Sequence, residues 1–138
     1  MNLIPGVDAS SQALSAEKLR MELIAQNIAN ANTTQGPDGK PYSRKMAVFE
    51  TLMNEQQGTG RGAAGVRIAG IADDPNPGEL IYNPAHPHAN AEGFLQMPNV
   101  QMAREMVDLI SSSRAYEANL KAVGTGQQMA RQALAIGK

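Results

Sequence analysis

The chain has 138 residues, 12 basic and 13 acidic side chains, a formal net charge of -1 and no cysteine. That length suits one domain rather than two ordinary cores, and the mixed charge offers no basic stripe for nucleic acid. Without cysteine there are no disulfides, thiolate metal sites or cysteine nucleophile. Apolar residues make up 42% of the chain but aromatic ones only 4%, so burial falls to Ala, Leu, Ile, Val and Met, which favours a thin helical core with interchangeable contacts. The N-terminus lacks a basic-then-apolar leader, and no apolar run approaches the ~20 residues of a membrane helix. Taken alone, these rules place the protein in the cytosol.

Met1 to Gly6 reads as a short lead broken by Pro5-Gly6. A helical pattern follows from Val7 to Asn30, with Val7, Leu14, Met21 and Ile28 spaced by seven and Ala13, Leu19, Leu23, Ile24, Ala25 and Ala31 widening the apolar side. Its opening half, Asp8 to Ser15, is rich in serine and alanine and is expected to fray. Asn30 and Asn32, followed by Thr33-Thr34, mark its end, since asparagine tolerates a left-handed cap.

From Gln35 to Met97 the composition changes. Gly36 to Pro41 is turn-rich, Tyr42 to Met53 suits a strand, and Gly58 to Gly65 reads as a mobile hairpin tip. Val66, Ile68 and Ile71 suggest a second strand, stopped by Asp73-Asp74-Pro75, and Leu80-Ile81-Tyr82 forms a third short apolar run. This segment holds too little apolar surface to stand as a domain.

From Met102 the residues Met102, Met106, Leu109, Ser113, Tyr116, Leu120, Val123, Gln127, Ala130 and Leu134 fall at alternating steps of four and three, a mostly apolar stripe diluted by Ser113 and Gln127. That period lays one stripe along a helix and faces it to a partner helix. With Pro98 discouraging helix before it and Asn99 as N-cap, a helix from Val100 to about Ile136 spans roughly 55 Å. Gly124 and Gly126 inside it cost about 1 kcal/mol each relative to alanine, so it should become stable only under cover from neighbours. The fold expected is mainly α. Long antiparallel N- and C-terminal helices (segments 1–34 and 99–138) form a coiled-coil-like pair, with a small β-hairpin and loop insertion (35–98) between them.

Candidate chemistry is sparse. His86 and His88 flank Pro87 without the i, i+4 spacing of helical zinc sites or a specified third ligand, and a proline-fixed turn accounts for them better than a metal. Asp73-Asp74 before Pro75 initiates a turn. The glycines from Gly58 to Gly65 are not followed by the Lys-Ser/Thr of a phosphate loop. Arg114 beside Tyr116 fits equally a solvated charge and a planar contact with a neighbouring subunit. No nucleophile, base and oxyanion donors assemble, so an enzyme is not expected, and neither a cofactor nor a metal is.

The block Asn27-Ile28-Ala29-Asn30-Ala31-Asn32-Thr33-Thr34, followed by Tyr42-Ser43-Arg44, resembles the N-terminal signature of the rod and hook proteins of the bacterial flagellum. The loop Gly36 to Pro41 between its halves is the form seen in a short proximal-rod subunit. Tyr82 to Asn90, Gly93-Phe94 and Met97 to Val100 look like the central segment of that family, and Glu105 to Ile110 with Arg114 to Asn119 look like its C-terminal signature. Together the blocks span nearly the whole chain. Asn90 stands where an acidic residue is more usual, Phe94 where Tyr is usual, and Gly124-Thr125-Gly126 replaces better helix formers.

The resemblance implies a non-catalytic axial subunit that polymerises with copies of itself and other rod proteins into the torque-transmitting proximal rod. It further implies contact with the basal-body membrane ring and export-gate components. Passage through the flagellar type III export apparatus without a cleaved signal would end in the periplasmic rod. The expected subunit interface comprises the helical seams (Leu14, Met21 and Ile28; Met102, Met106, Leu109, Tyr116, Leu120, Val123 and Leu134), Arg114, and the signature residues Asn30, Asn32, Tyr42, Arg44 and Asn119. Two other readings compete: a soluble helical adaptor gripping one partner, and a metal-dependent module at His86 and His88.

Overall fold

A computed structural model describes residues 5–52 and 65–136. In chain order these form helix α1 (Pro5–Ala29), strands β1 (Lys45–Leu52), β2 (Gly65–Asp73), β3 (Leu80–Tyr82) and β4 (Phe94–Gln96), and helix α2 (Met102–Ile136). The loop expected from Gly58 to Gly65 lies outside the described residues, apart from Gly65 at the start of β2.

The helices pack side by side and antiparallel. Asn27 of α1 meets Glu105 of α2, and ten residues earlier Glu17 meets Ser112. Among the described residues the fully covered apolar side chains are few: Ala16, Leu23 and Ile24 on α1, and Leu95 on β4. What α2 buries is polar, namely Glu105 and Ser112. The seam of α2 therefore sits about a seventh of a turn from the one its apolar period suggests. Leu109, Tyr116, Val123 and Ala130 are half-buried on the face of Glu105 and Ser112, while Met102, Met106, Leu120 and Leu134 of the same stripe are exposed. A stripe chosen by hydrophobicity alone misses the true seam because small and polar residues occupy it.

Helix boundaries differ from expectation in physically simple ways. Pro5 opens α1 rather than breaking the chain before it, since its fixed φ and missing N–H suit a first helical turn. At the other end no non-glycine residue among those described has positive φ, so Asn30 and Asn32 do not cap in the left-handed form. The chain tightens instead, with the Asn30 N–H donating to both Gln26 and Asn27 carbonyls and the Ala31 N–H to Ile28. Helix α2 begins at Met102 and Asn99 does not cap it, because its side chain is spent on Arg44, Asp74 and Asn76. Gly124 and Gly126 leave α2 unbroken to Ile136.

The insertion holds two separate antiparallel pairs, β1–β2 and β3–β4. The first is a hairpin with a register shift between Val48 and Phe49. The second pairs Leu80–Tyr82 with Phe94–Gln96, and strand β4 was not expected, being three residues long and flanked by glycine and proline. Two glycines make this sheet possible. A Cβ on Gly78 would stand 1.7 Å from the Met97 carbonyl oxygen, and Gly93, at φ +82°, would push one to 2.9 Å from the Tyr82 ring. The Asn90 amide oxygen shapes the turn before β4: its Oδ1 accepts the N–H groups of Glu92 and Phe94. Phe94 stacks edge-on against Tyr82 at 5.4 Å.

With so small an apolar core, single positions should dominate stability. Leu23→Ala is expected to cost about 2–5 kcal/mol in urea unfolding. Leu134→Ala, 75% exposed, should change the isolated chain by less than about 0.5 kcal/mol.

Candidate functional site

The residues of the recognised blocks converge on one buried point. Asn27, fully enclosed near the end of α1, uses its side-chain amide as a miniature strand against the outer edge of β1. Its Oδ1 accepts the Lys45 N–H at 2.9 Å and its Nδ2 donates to the Lys45 carbonyl at 3.0 Å. The same Oδ1 accepts the Tyr42 hydroxyl at 2.9 Å, and the same Nδ2 donates to Glu105 Oε2 at 3.1 Å. The full hydrogen-bonding capacity of one asparagine is thus consumed.

Glu105 is also fully enclosed. Its second oxygen accepts Arg44 Nε at 2.5 Å, and the same guanidinium reaches Asp108 at 3.4 Å and lies 4.0 Å from Asp74. Arg20 of α1 approaches Asp108 from the other side at 3.9 Å. The Arg44 N–H donates to Asn99 Oδ1 at 2.6 Å, and Asn99 Nδ2 donates to the carbonyls of Asp74 and Asn76. This clasp gathers α1, β1, the end of β2, the connector to α2 and the first turns of α2. Among the described residues no buried side-chain polar atom lacks a partner.

The environment shifts two acids. Burial pushes the Tyr42 hydroxyl above its usual 10.0, helped by the Asp73 and Glu105 carboxylates. The Asn76 backbone N–H, then its side chain and the Arg44 and Arg104 guanidinium groups, hold the Asp74 carboxyl below its usual 3.8, against a smaller opposing effect of desolvation. The Asp74–Asn76 contact is the turn expected of Asp73-Asp74-Pro75.

The expected interface residues divide into four groups. Tyr42 and Arg44 are committed to the clasp within the chain. Asn30 closes the end of α1, donating to the Gln26 carbonyl and accepting from Thr33, while Asn32 is exposed. Leu14, Met21, Ile28, Leu109, Tyr116, Asn119 and Val123 are half-buried on the paired helices. Met102, Met106, Arg114, Leu120 and Leu134 lie exposed along α2, joined by Val107 and Ile110, which the periodicity did not select. The residue that sequence reasoning undervalued is Glu105, and the available signal was a lone acid at the start of an otherwise small-residue heptad: Glu105, Ser112, Asn119, Gly126.

His86 and His88 sit in the expected turn. The His88 N–H donates to His86 Nδ1, and His88 Nδ1 pairs with Thr34 Oγ1 at 2.9 Å. Among the described residues no group of three potential ligands could hold a metal ion.

Comparison with known proteins places the chain in a family. The family model described as "Flagella basal body rod protein" matches residues 8–37, and that described as "Flagellar basal body rod FlgEFG protein C-terminal" matches residues 91–136. The chain is 41% identical to the flagellar basal-body rod protein FlgC of Yersinia enterocolitica, over 100% of both chains. It is 39% identical to FlgC of Bacillus subtilis, again over 100% of both, and 38% identical to that of Salmonella typhimurium over the same full span. The chain belongs to the FlgC family of flagellar basal-body rod proteins. It is a structural subunit rather than an enzyme, and the adaptor and metal-module readings have no support in this family. The matched segments cover most of α1 and all of α2, with the enclosed polar residues Asn27, Glu105 and Ser112.

Breaking the clasp on one side leaves a buried charge. Arg44→Ala should destabilise by about 3–5 kcal/mol, read from chemical unfolding.

The pH profile should carry the two shifted acids. Tyr42, raised in the folded state, supports folding fully below about pH 10 and loses that contribution as pH climbs through its folded value. Tyr42→Phe should therefore flatten the alkaline limb. Asp74, lowered in the folded state, supports folding above its unfolded value near 4 and loses it as pH falls further. Asp74→Asn should flatten the acid limb, which midpoint denaturation against pH would show.

Proposed function

We propose that this rod subunit joins the proximal, periplasmic part of the rod. It polymerises with copies of itself and other rod proteins through the outward faces of its terminal helices, near the membrane ring and export gate. The observation that carries this reading is the exposure of large apolar side chains along one long helix: Met106 at 52%, Ile110 at 56%, Leu120 at 53% and Leu134 at 75%. Scattered apolar exposure is ordinary, but a run sustained along a helix marks a contact surface. Extending the register of Glu17 and Ser112, Pro5 falls opposite about residue 124. About 12 residues of α2 then project past the described part of α1, roughly 18 Å of helix.

A rod requires contacts between unlike patches, because such contacts do not close on themselves and so build helical tubes. Outward apolar side chains on α2 suit coiled-coil-like packing against a neighbouring helix, with Arg114 at its margin as a multi-donor contact. Export through the flagellar type III apparatus, without a cleaved signal, fits the same physics. A chain with a thin core unfolds easily for passage and gains its remaining order on arrival.

The test pairs an outer position with an intact fold. Met106→Asp and Leu134→Asp should leave the helix content and urea midpoint of the purified chain unchanged while abolishing motility and the subunit's presence in isolated basal bodies. Normal incorporation of both variants would overturn the proposed interface. In the same preparations the projecting end of α2 should resist protease in basal bodies and be trimmed from the free chain.

A further inference from the structure

The pairing of α1 with α2 poses a problem that apolar burial does not solve. The heptad of α2 that faces α1 is Glu105, Ser112, Asn119 and Gly126, and beyond Glu105 every member is small or neutral. On α1 the corresponding row is Ala9, Ala16 and Leu23. The flanking seam residues Leu109, Tyr116 and Val123 also recur every seven residues, so a slip of one heptad, roughly 10.5 Å along the axis, again sets apolar and small side chains against α1. Identical periodicity specifies register weakly wherever no distinctive side chain interrupts it.

The distinctive contacts all lie at one end. Asn27 to Glu105, Arg20 to Asp108 and Glu17 to Ser112 hold one antiparallel offset to within four residues, less than a heptad. Of the residues that could stand opposite Asn27 after a slip of seven, Ser112 carries no carboxylate and Pro98 carries no polar side chain. Either exchange would leave Arg44 facing Asn27 without the buried acid, and Asn27 Nδ2 without its second acceptor. An uncompensated charge or amide in an enclosed site is strongly disfavoured. Asn99 ties the connector before α2 to the Arg44 backbone, so the clasp also holds the point from which α2 sets out.

We infer that Asn27, Arg44 and Glu105 are register-positioning residues: their clasp selects one axial offset of α2 against α1 and thereby sets how much of α2 projects beyond α1. The consequence for assembly rests on the rod reading above. A shift of one heptad would lengthen or shorten the projecting end of about 12 residues by more than half and move the outward apolar stripe relative to the β-hairpin. A buried polar cluster that specifies register at some expense of stability is the best-attested use of such groups.

The absence of native cysteine allows a direct measurement on the purified full-length chain. With the clasp intact, the pair Glu17→Cys with Ser112→Cys should form a disulfide under mild oxidation. The pair Glu17→Cys with Asn119→Cys, one heptad out of register, should not. Adding Glu105→Ala to each should raise the out-of-register disulfide at least tenfold relative to the native one. Glu105→Gln, which keeps the side-chain length and loses the charge, provides the same reading should the alanine variant not fold. A folded Glu105→Gln protein that is less stable but forms only the native disulfide would overturn the inference and leave the clasp a mere stabiliser. Basal bodies from cells carrying Glu105→Gln separate the two layers. Slipped register with loss of incorporation supports both, whereas slipped register with normal incorporation removes the consequence for assembly and leaves the register role standing.

Discussion

A carboxylate with no access to water has to be neutralised where it stands, and the rest of this molecule is arranged around that requirement. Glu105 meets it with one guanidinium and one amide, each from a different part of the chain. Arg44 lies just before β1 and Asn27 near the end of α1, so neither can reach Glu105 unless the connector between them is folded. The Asn27 amide completes the arrangement by pairing with both backbone groups of Lys45. Helix pairing and the placement of the hairpin are consequently one event. A buried ion pair of this kind is poor evidence for high stability, because desolvation offsets much of its attraction. Its value lies in specifying one arrangement among several of similar apolar burial.

That specificity matters because the apolar core is thin. Ala16, Leu23 and Ile24 carry the helix pair, and small residues line much of the remaining seam. Such a seam lets helices approach closely but discriminates poorly between offsets. On α2, Leu109, Tyr116 and Val123 are half-buried toward α1, whereas Met106, Ile110 and Leu120 lie on a face that α1 does not cover. Polar groups thus fix how the elements of the subunit meet, and part of the apolar surface of α2 is left exposed.

Much of this was legible in the sequence, and the misses share a cause. The long terminal helices, the turn at Asp74 and the short strand Leu80–Tyr82 follow from periodicity, from Asx chemistry and from flanking breakers. The face of α2 that meets α1 did not follow, because periodicity weighs Met106 and Leu120 above Ser112 and Gly126, whereas close packing favours the small residues. Strand β4 was invisible because three residues between Gly93 and Pro98 carry too little pattern, and only the pairing with β3 defines it. Arg44 and Tyr42 stood out through a resemblance, which marks residues as belonging together without saying what they touch. Their partner Glu105 lies some sixty residues away, and no local pattern connects them.

The same division of labour explains why a rod subunit tolerates an arrangement that an enzyme of this size would find marginal. On the export route proposed above, a subunit threaded through a channel gains from a core that comes apart easily, since the work of unfolding scales with the apolar area exposed. It gains equally from a polar clasp that forms only when all its members arrive together, because partial structures leave a desolvated charge and are disfavoured. In the proposed assembly, neighbours that cover the outer face of α2 supply the apolar area missing from the monomer. Folding free energy then shifts from the single chain to the tube. A coupling of that kind makes subunit rigidity conditional on incorporation, so that stiffness is greatest where torque has to be carried and least where the chain has to move.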